Sequence, residues 1–314
     1  MTSPSSLGSQ GSAGSQGSAG SQGAARLVVQ DVRVAFGGVQ ALDGVSLTVE
    51  AGSVAGLIGP NGSGKTTLLD VVSGITPLSP PGGAGGTVKL NDTDLGDYLP
   101  EERVGLGIVR SFQDCALYPT LTVEDTLLLT GDARQPVGVL STTLQLPWAR
   151  RREADKVRAV DDVIGALGLE RFRHHRISQL STGTRRVVDL AAMVLAHPRL
   201  LLLDEPTAGI AQREAEAFVP LLRQLQEVTG ATVLLVEHDV PLVFALCTTV
   251  VVMATGRVVA EGTPEHVAAD PAALAAYLGA SQSALTPSSI PAHPPSGSTA
   301  APAEPGGEKR ESSS

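Results

Sequence analysis

The sequence is poor in several features that mark particular classes of protein. It has only two cysteines, Cys115 and Cys247, and they form neither a disulfide framework nor a metal-ligand spacing. A reducing, cytoplasmic setting fits this. No apolar run approaches the length of a membrane span. No basic region followed by an apolar stretch opens the sequence, so a secretory signal is not expected. Any association with a membrane is therefore expected to come through a partner.

Basic residues are also few, with 23 Lys and Arg against 32 Asp and Glu, which gives a net charge of −9. Domains that bind nucleic acid usually carry a basic face, so this balance argues against a nucleic-acid partner. Two local basic clusters, 149–158 and 171–176, are interpreted as solvated helix faces.

Large apolar residues are scarce at both ends of the chain. Residues 8–23 repeat Gly, Ser, Gln and Ala, and from about Ser281 onward Ser, Pro, Ala and Gly dominate. Such segments bury too little surface to offset their ordering entropy. Residues 1–25 and 281–314 are therefore predicted to be disordered, which leaves one folded domain over residues 26–280.

Within that domain, strand patterns alternate with helical ones. Short apolar runs such as VAGLIG (54–59), LLLLD (200–204) and TVLLV (232–236) read as strands, with helical patterns between them. This alternation predicts an α/β domain with a largely parallel sheet. The residues from about 115 to 180 are mostly helical in pattern and are predicted to form an inserted helical subdomain.

The stretch GPNGSGKT (59–66) fits the pattern G-x-x-x-x-G-K-[ST] in full. Its glycines would let backbone N–H groups converge on phosphate oxygens, and the helix that follows would direct its dipole at the anion. Lys65 would contact the outer phosphates and Thr66 a Mg²⁺ ion. A glycine-rich turn that matches by chance is the alternative, but the position between a strand and a helix argues against it. ATP and Mg²⁺ are the expected cofactors, with nucleotide-binding residues Gly59, Pro60, Asn61, Gly62, Ser63, Gly64, Lys65, Thr66 and Thr67.

Two later apolar strands also end in polar residues. Asp204 could hold the Mg²⁺ ion, and Glu205 could act as the general base on the water beside the γ-phosphate. On its own, this acidic pair would favour a cap for the next helix; the phosphate loop favours catalysis. His238 could contact the γ-phosphate and hold Glu205 and the water in place, with a structural histidine as the alternative.

In order and spacing, these motifs resemble those of an ABC-transporter ATP-binding subunit. The resemblance covers nearly the whole core and is carried by Lys65, Gln113, LSTGT (180–184), Asp204–Glu205 and His238. It implies a P-loop NTPase core of the RecA-like kind, with an inserted α-helical subdomain and an N-terminal antiparallel β subdomain.

Further roles follow from this resemblance. Phe36 would stack on adenine, although a core phenylalanine is the alternative. Gln113, which on sequence alone is a polar strand end, would contribute to catalysis and to the Mg²⁺ site and link them to the helical subdomain. Residues 114–119 would line a groove that receives a permease helix.

The LSTGTRR segment (180–186) resembles the LSGGQ signature of this family with two changes. Ser181 and Gly183 would contact the γ-phosphate of ATP held by an opposite subunit. Thr184 replaces the usual Gln, and Ala211 stands where an Asp or Asn normally helps to organise the partner's site. The segment is interpreted as a genuine signature that is weakened in trans. The chain is expected to dimerise with itself or with a paralogous ATPase.

A finer resemblance is to the ATPase subunits of branched-chain amino-acid importers. It is carried by FGGVQALDGVSLTV, LTVEDTLLL, VEHDV and VAEGTPEHVAADPAALAAYLG. It implies an ATPase held at the cytoplasmic face of the cell membrane by permease subunits and served indirectly by an extracytoplasmic solute-binding protein. Importer ATPases for urea or short amides share much of this pattern and are the alternative.

Two other readings are open to test. A soluble ABC ATPase acting in translation or DNA repair commonly has two cassettes or a long insertion, and this chain has one phosphate loop and no such insertion. A non-hydrolysing regulatory subunit is suggested by Thr184 and Ala211. Lys65, Glu205 and His238 argue against it.

Overall fold

The computed structural model describes residues 23–77, 85–111, 117–134, 147–210 and 212–278. In these ranges the chain forms two β-sheets, with helices packed against them and against one another. The strands are β1 Leu27–Phe36, β2 Val39–Val49, β3 Val54–Ile58, β4 Gly85–Leu90, β5 Thr93–Asp94, β6 Ile108–Arg110, β7 Leu200–Asp204, β8 Thr232–Val236, β9 Thr249–Ala254 and β10 Arg257–Gly262. The helices are α1 Lys65–Ser73, α2 Pro100–Gly105, α3 Val123–Arg134, α4 Pro147–Ala166, α5 Thr182–Leu195, α6 Gln212–Thr229, α7 Val240–Leu246, α8 Pro264–Ala269 and α9 Pro271–Leu278. Two short 3-10 helices, Glu170–Phe172 and Ile177–Gln179, precede α5.

The first sheet is antiparallel and has the strand order β2-β1-β4-β5. Leu27 of β1 pairs with Val49 of β2 on one side and with Leu90 of β4 on the other. In β1, Leu27, Val29, Val32 and Val34 are buried and Gln30, Asp31 and Arg33 are exposed, as expected for a sheet buried on one face. The predicted N-terminal antiparallel β subdomain is confirmed.

The second sheet has the order β10-β9-β3-β8-β7-β6, and all its pairs are parallel except β9 with β10. Strands β3, β7 and β8 are fully buried along their length, because helices or the first sheet cover both faces. Leu200 and Leu202 face one hydrophobic core, while Leu201 and Leu203 face the other. The predicted α/β core with a largely parallel sheet is confirmed.

Helix α1 packs between the two sheets, where Leu68, Leu69 and Val72 have no exposed surface. The C-terminal end of α1 is held by the guanidinium of Arg103 on α2, which is 1% exposed. Its nitrogens donate to the carbonyls of Val71, Val72, Leu95 and Tyr98 at 2.6–3.0 Å. A cation at this end of a helix also complements the helix dipole.

The inserted helical subdomain is present as a third core, formed by α3, α4 and α5. Arg173 links α3 to α4 through ion pairs with Glu124 at 3.0 Å and Asp161 at 2.6 Å. Helix α5 also belongs to the sheet core, since Val188 packs in the helical core and Leu190 in the sheet core. The core of the helical subdomain therefore includes residues of α5, which lie beyond the subdomain boundary predicted near residue 180.

The folded domain also begins before residue 26. Ala25 has no exposed surface; its N–H bonds to the Arg199 carbonyl at 3.3 Å and its carbonyl accepts from Thr232 Oγ1 at 2.7 Å. Its assignment to the N-terminal segment was wrong, because composition alone gives no sign of these distant contacts. In the described ranges, no helix has the length and apolarity needed to cross a bilayer.

Candidate functional site

Three adjacent parallel strands bring the predicted site residues to one edge of the second sheet. Strand β8 lies between β3 and β7, and Asp204 at the end of β7 pairs with Val236 at the end of β8. The phosphate loop (59–65) follows β3, and His238 follows β8. Carboxyl ends of parallel strands are where open α/β sheets bind ligands.

The phosphate loop has a backbone that side chains would obstruct at two positions. Gly59 has φ +154°, and a Cβ there would lie 2.1 Å from the carbonyl oxygen of Met253. Gly64 has φ +103°, and its Cβ would lie 2.6 Å from the carbonyl oxygen of Ala41. Both positions therefore require glycine.

The turn between β9 and β10 is hydrogen-bonded to the phosphate loop. The N–H of Gly256 donates to the carbonyl of Ser63 at 3.0 Å, and the carbonyl of Gly256 accepts from Asp43 N–H of β2 at 2.8 Å. The loop is thus held by the β9–β10 turn, which is itself bonded to β2 of the first sheet.

Lys65 opens α1 and is 7% exposed. Its Nζ donates to the carbonyls of Gly59 at 2.8 Å and Pro60 at 3.1 Å, so the ammonium lies over the loop. Burial lowers the pKa of Lys65, while the carboxylates of Glu205 and Asp204 act in the opposite direction. The lysine charge therefore lies within electrostatic reach of both acidic strand-end residues.

Asp204 is 3% exposed and is hydrogen-bonded to Arg110, the last residue of β6, and to Ser111, which follows it. Its N–H donates to Ser111 Oγ at 3.0 Å, and its Oδ2 accepts from Arg110 Nη2 at 3.2 Å. Arg110 also contacts Asp70 Oδ1 of α1 at 2.5 Å. Burial raises the pKa of Asp204, and Arg110 opposes that rise.

The residues predicted to bind Mg²⁺ offer the oxygen ligands that this ion prefers. Among the described residues, Asp204 Oδ1 is buried and has no hydrogen-bond partner. A buried carboxylate oxygen without a partner is costly unless a cation or donor completes it. Thr66, in the first turn of α1, has an exposed side chain. No group of three or more His, Cys, Asp and Glu in the described ranges forms a metal site of its own. Asp204 and Thr66 thus fit a Mg²⁺ ion that also takes phosphate oxygens as ligands.

Glu205 has an unusual backbone for its residue type, with φ +47°. Its N–H donates to the Val236 carbonyl at 2.9 Å and its carbonyl accepts from Ala208 at 3.0 Å. Non-glycine residues in this conformation cluster at functional sites, where the surroundings hold them.

His238 has a side chain that is 65% exposed, so it is not a core histidine. Its neighbour Glu237 is fully buried, and the carboxylate contacts the main chain of His238 and both the N–H and the hydroxyl of Thr207.

The predicted signature segment forms the start of α5. Ser181 caps this helix by accepting from Thr184 N–H at 3.2 Å, and the hydroxyls of Ser181 and Thr184 lie 3.0 Å apart. Within the described ranges, neither Ser181 nor Gly183 is hydrogen-bonded to the phosphate loop.

The structure describes Phe36 but not three other residues to which the sequence assigned a role. Phe36 is 53% exposed at the end of β1, so the alternative of a core phenylalanine was wrong. Gln113, Asp114 and Ala211 lie outside the described residues.

A cavity of about 160 Å³ lies between β6 and the helical subdomain. Its lining includes Arg110 and Asp189, and the exposed side chains of Tyr118 and Leu129. Burial raises the pKa of Asp189 to about 6, and the charge of Arg186 opposes that rise.

Sequence reasoning missed Arg110, Thr207 and Glu237. Each lies within three residues of a predicted site residue, at or just after the end of an apolar strand. A polar side chain at the end of an apolar strand could have marked each of them as a candidate site residue. The sequence pattern does not indicate which residues they hydrogen-bond to.

Residues 42–208 match the family profile described as ABC transporter, and residues 257–282 match the profile described as branched-chain amino acid ATP-binding cassette transporter. The high-affinity branched-chain amino acid transport ATP-binding proteins LivG of Escherichia coli and BraF of Pseudomonas aeruginosa are each 32% identical over 254 residues. Each alignment covers 81% of this chain and 97% of the relative.

Solved structures show the same fold. A nucleotide-free ATP-binding cassette from an ABC transporter superposes with a TM-score of 0.67 at 29% identity, covering 81% of this chain and 98% of the other. The ADP conformation of an ATP-binding cassette of an ABC transporter gives a TM-score of 0.66 at 29% identity, covering 81% and 99%.

Proposed function

Because the chain belongs to the ABC transporter family of ATP-binding cassettes, we propose that its ATPase activity drives a permease that imports branched-chain amino acids. The observation that carries the proposal is the convergence of the phosphate loop, Asp204, Glu205 and His238 on one sheet edge. The match of residues 257–282 to the branched-chain profile supports the solute class.

The phosphate loop is proposed to hold the triphosphate through backbone N–H groups and the N-terminus of α1. Lys65 would exchange its bonds to the loop carbonyls for bonds to the outer phosphates. Exposed Phe36 at the tip of the first sheet is available to stack on adenine.

Thr66 and Asp204 are proposed to hold the Mg²⁺ ion, which would supply positive charge beside the phosphates. Gln113, which follows Arg110 and Ser111 after β6, is proposed to complete this site.

Glu205 is proposed to accept the proton of the attacking water. The water oxygen bonds to the γ-phosphorus while the bond from phosphorus to the bridging oxygen of ADP breaks. His238, exposed at the neighbouring strand end, would hold the γ-phosphate and the water in line.

A second ATPase subunit, a paralogue or another copy, is proposed to face this site. Ser181 and Gly183 lie at the N-terminus of α5, where N–H groups attract anions, and they would contact ATP held by the opposite subunit.

Permease subunits are proposed to bind at the cavity between β6 and the helical subdomain, and so to hold the chain at the cytoplasmic face of the membrane. Tyr118 and Leu129 expose apolar surface there, and Arg110 joins the cavity to Asp204. An extracytoplasmic solute-binding protein would deliver the solute to the permease.

The proposal is tested by pairing Glu205→Gln with the control Glu227→Gln, which makes the same change at an exposed position of α6. Glu205→Gln should retain ATP binding while hydrolysis falls by roughly two to four orders of magnitude. Glu227→Gln should hydrolyse ATP normally. In cells, loss of the gene should impair uptake of leucine, isoleucine or valine. Normal uptake of all three, with loss of urea or amide uptake, would reassign the solute.

A further inference from the structure

Glu237 is a fully buried carboxylate beside the residues proposed to carry out hydrolysis. Burying an ionised carboxylate is costly unless it is paired or hydrogen-bonded. In the described part of the chain, no Lys or Arg lies within ion-pair distance of Glu237, and the ionisable side chain recorded within 4 Å of its carboxylate is that of His238. Its carboxylate is satisfied instead by three hydrogen-bond donors from two other residues.

One carboxylate oxygen holds the turn that follows β7. Glu237 Oε1 accepts from Thr207 N–H at 3.0 Å and from Thr207 Oγ1 at 2.5 Å. Thr207 lies two residues after Glu205, whose left-handed backbone is costly and needs support from its surroundings. The two bonds to Thr207 fix the turn just beyond Glu205.

The other oxygen holds His238. Glu237 Oε2 accepts from the His238 N–H at 3.1 Å and lies 3.6 Å from its Nδ1. The hydrogen bond to the main chain fixes the backbone of His238, and Nδ1 lies beside the carboxylate at a distance longer than a hydrogen bond.

We propose that Glu237 is a positioning residue for ATP hydrolysis, which sets the catalytic turn with one carboxylate oxygen and His238 with the other. This rests on the roles proposed above for Glu205 and His238. Glu205 and His238 follow the ends of the adjacent strands β7 and β8. The main-chain bond from Glu205 N–H to the Val236 carbonyl also joins these two strand ends. The buried side chain of Glu237 thereby holds both the turn beyond Glu205 and His238.

The test is Glu237→Gln in the full chain. Glutamine has the same shape, but its NH₂ must face an N–H donor of either Thr207 or His238. The expected result is a kcat lowered about ten- to a hundredfold, the range found when a hydrogen-bond partner that orients a metal-ligating side chain is lost. ATP affinity should be unchanged, because no described hydrogen bond joins Glu237 to the phosphate loop. Binding of a fluorescent ATP analogue and steady-state phosphate release measure the two quantities.

Thr207→Val and Thr207→Ser provide a second route if Glu237→Gln does not fold. Thr207→Val removes the hydroxyl and should lower kcat less than Glu237→Gln, while Thr207→Ser should restore it. The double variant Glu237→Gln with Thr207→Val should lose less than the two single losses combined, because the contact between Glu237 and Thr207 is common to both.

An unchanged kcat in a folded Glu237→Gln or Thr207→Val variant would overturn the inference, as would equal losses of ATP affinity and kcat. Glu205→Gln separates this failure from failure of the proposed function. If Glu205→Gln abolishes hydrolysis and the Glu237 and Thr207 variants do not alter it, the function stands and the positioning role fails. If Glu205→Gln is also active, the proposed role of Glu205 as the base fails with it.

Discussion

The guanidinium of Arg110 donates to the carboxylate of Asp204 at 3.2 Å, and both side chains are buried. The same guanidinium contacts Asp70 of α1 at 2.5 Å. Arg110 therefore places one cation between two carboxylates, from the helix that opens with Lys65 and the strand that ends at Asp204. Removing one member of such a group leaves buried charge without compensation.

Arg110→Gln should lower the free energy of unfolding by about 3 kcal/mol, because Asp70 and Asp204 lose their shared cation. If Mg²⁺ binds at Asp204, it should replace part of that charge. The rise in unfolding temperature on adding Mg²⁺ to the ADP-bound protein should then be larger in Arg110→Gln than in the unaltered chain. Arg33→Gln, whose ion pairs are largely exposed, is the control and should change stability by less than about 1 kcal/mol. Equal Mg²⁺-dependent shifts in unfolding temperature for all three proteins would contradict the proposed metal site.

The buried carboxyl group of Asp189 should make the free energy of unfolding fall as the pH rises. Burial raises its pKa to about 6 in the folded protein, above the ordinary 3.8. The folded state therefore binds more protons than the unfolded state between these values, and stability declines as pH rises through about 6. Asp189→Asn removes this penalty, which is at most about 3 kcal/mol.

The measurement is urea unfolding of Asp189→Asn and the unaltered chain at pH 5 and pH 8. The stability advantage of the variant should be larger at pH 8. Asp97→Asn removes a carboxylate from an exposed loop position and should show no such difference. An advantage of Asp189→Asn that is independent of pH would show that the aspartate is not responsible.

Arg103→Met should destabilise the protein by at least about 2 kcal/mol, since four backbone carbonyls lose a buried donor. Arg103→Lys keeps the charge but cannot reach all four carbonyls, so it should be intermediate. Thermal unfolding followed by circular dichroism measures both. Arg158→Met, which breaks an exposed ion pair on α4, should leave the unfolding temperature nearly unchanged.

The Ser181–Thr184 contact bears on dimer formation. The two hydroxyls are 3.0 Å apart, so Ser181 is already engaged within its own helix. In a Glu205→Gln background, the chain should form an ATP-bound dimer poorly by itself and better when mixed with a paralogous ATPase. Adding Thr184→Gln should strengthen the homodimer, while Thr184→Ser, which keeps a hydroxyl, should not. Size-exclusion chromatography with ATP and Mg²⁺ decides this, and a tight homodimer of Glu205→Gln alone would refute the weakened signature.

The sequence predicted the elements of this site better than the contacts between them. Lys65, Asp204 and His238 each follow or end a short apolar strand, and parallel strands place such residues at one edge, so convergence could be inferred. Asp204 with Arg110, and Glu237 with Thr207, are pairs far apart in the chain, and no periodic pattern encodes which of them meet. The burial of Arg103 could not be foreseen either, because an isolated arginine on a short helix is normally solvated.

The turn at Gly256, which bonds to Ser63, has a consequence for how the protein is made. Strand β3 also lies between β8 and β9, which are synthesised long after it. A nascent chain that has emerged from the ribosome only as far as the phosphate loop therefore lacks both flanking strands and the loop's support. Nucleotide should therefore be unable to stabilise this domain co-translationally until nearly all of it is out of the exit tunnel.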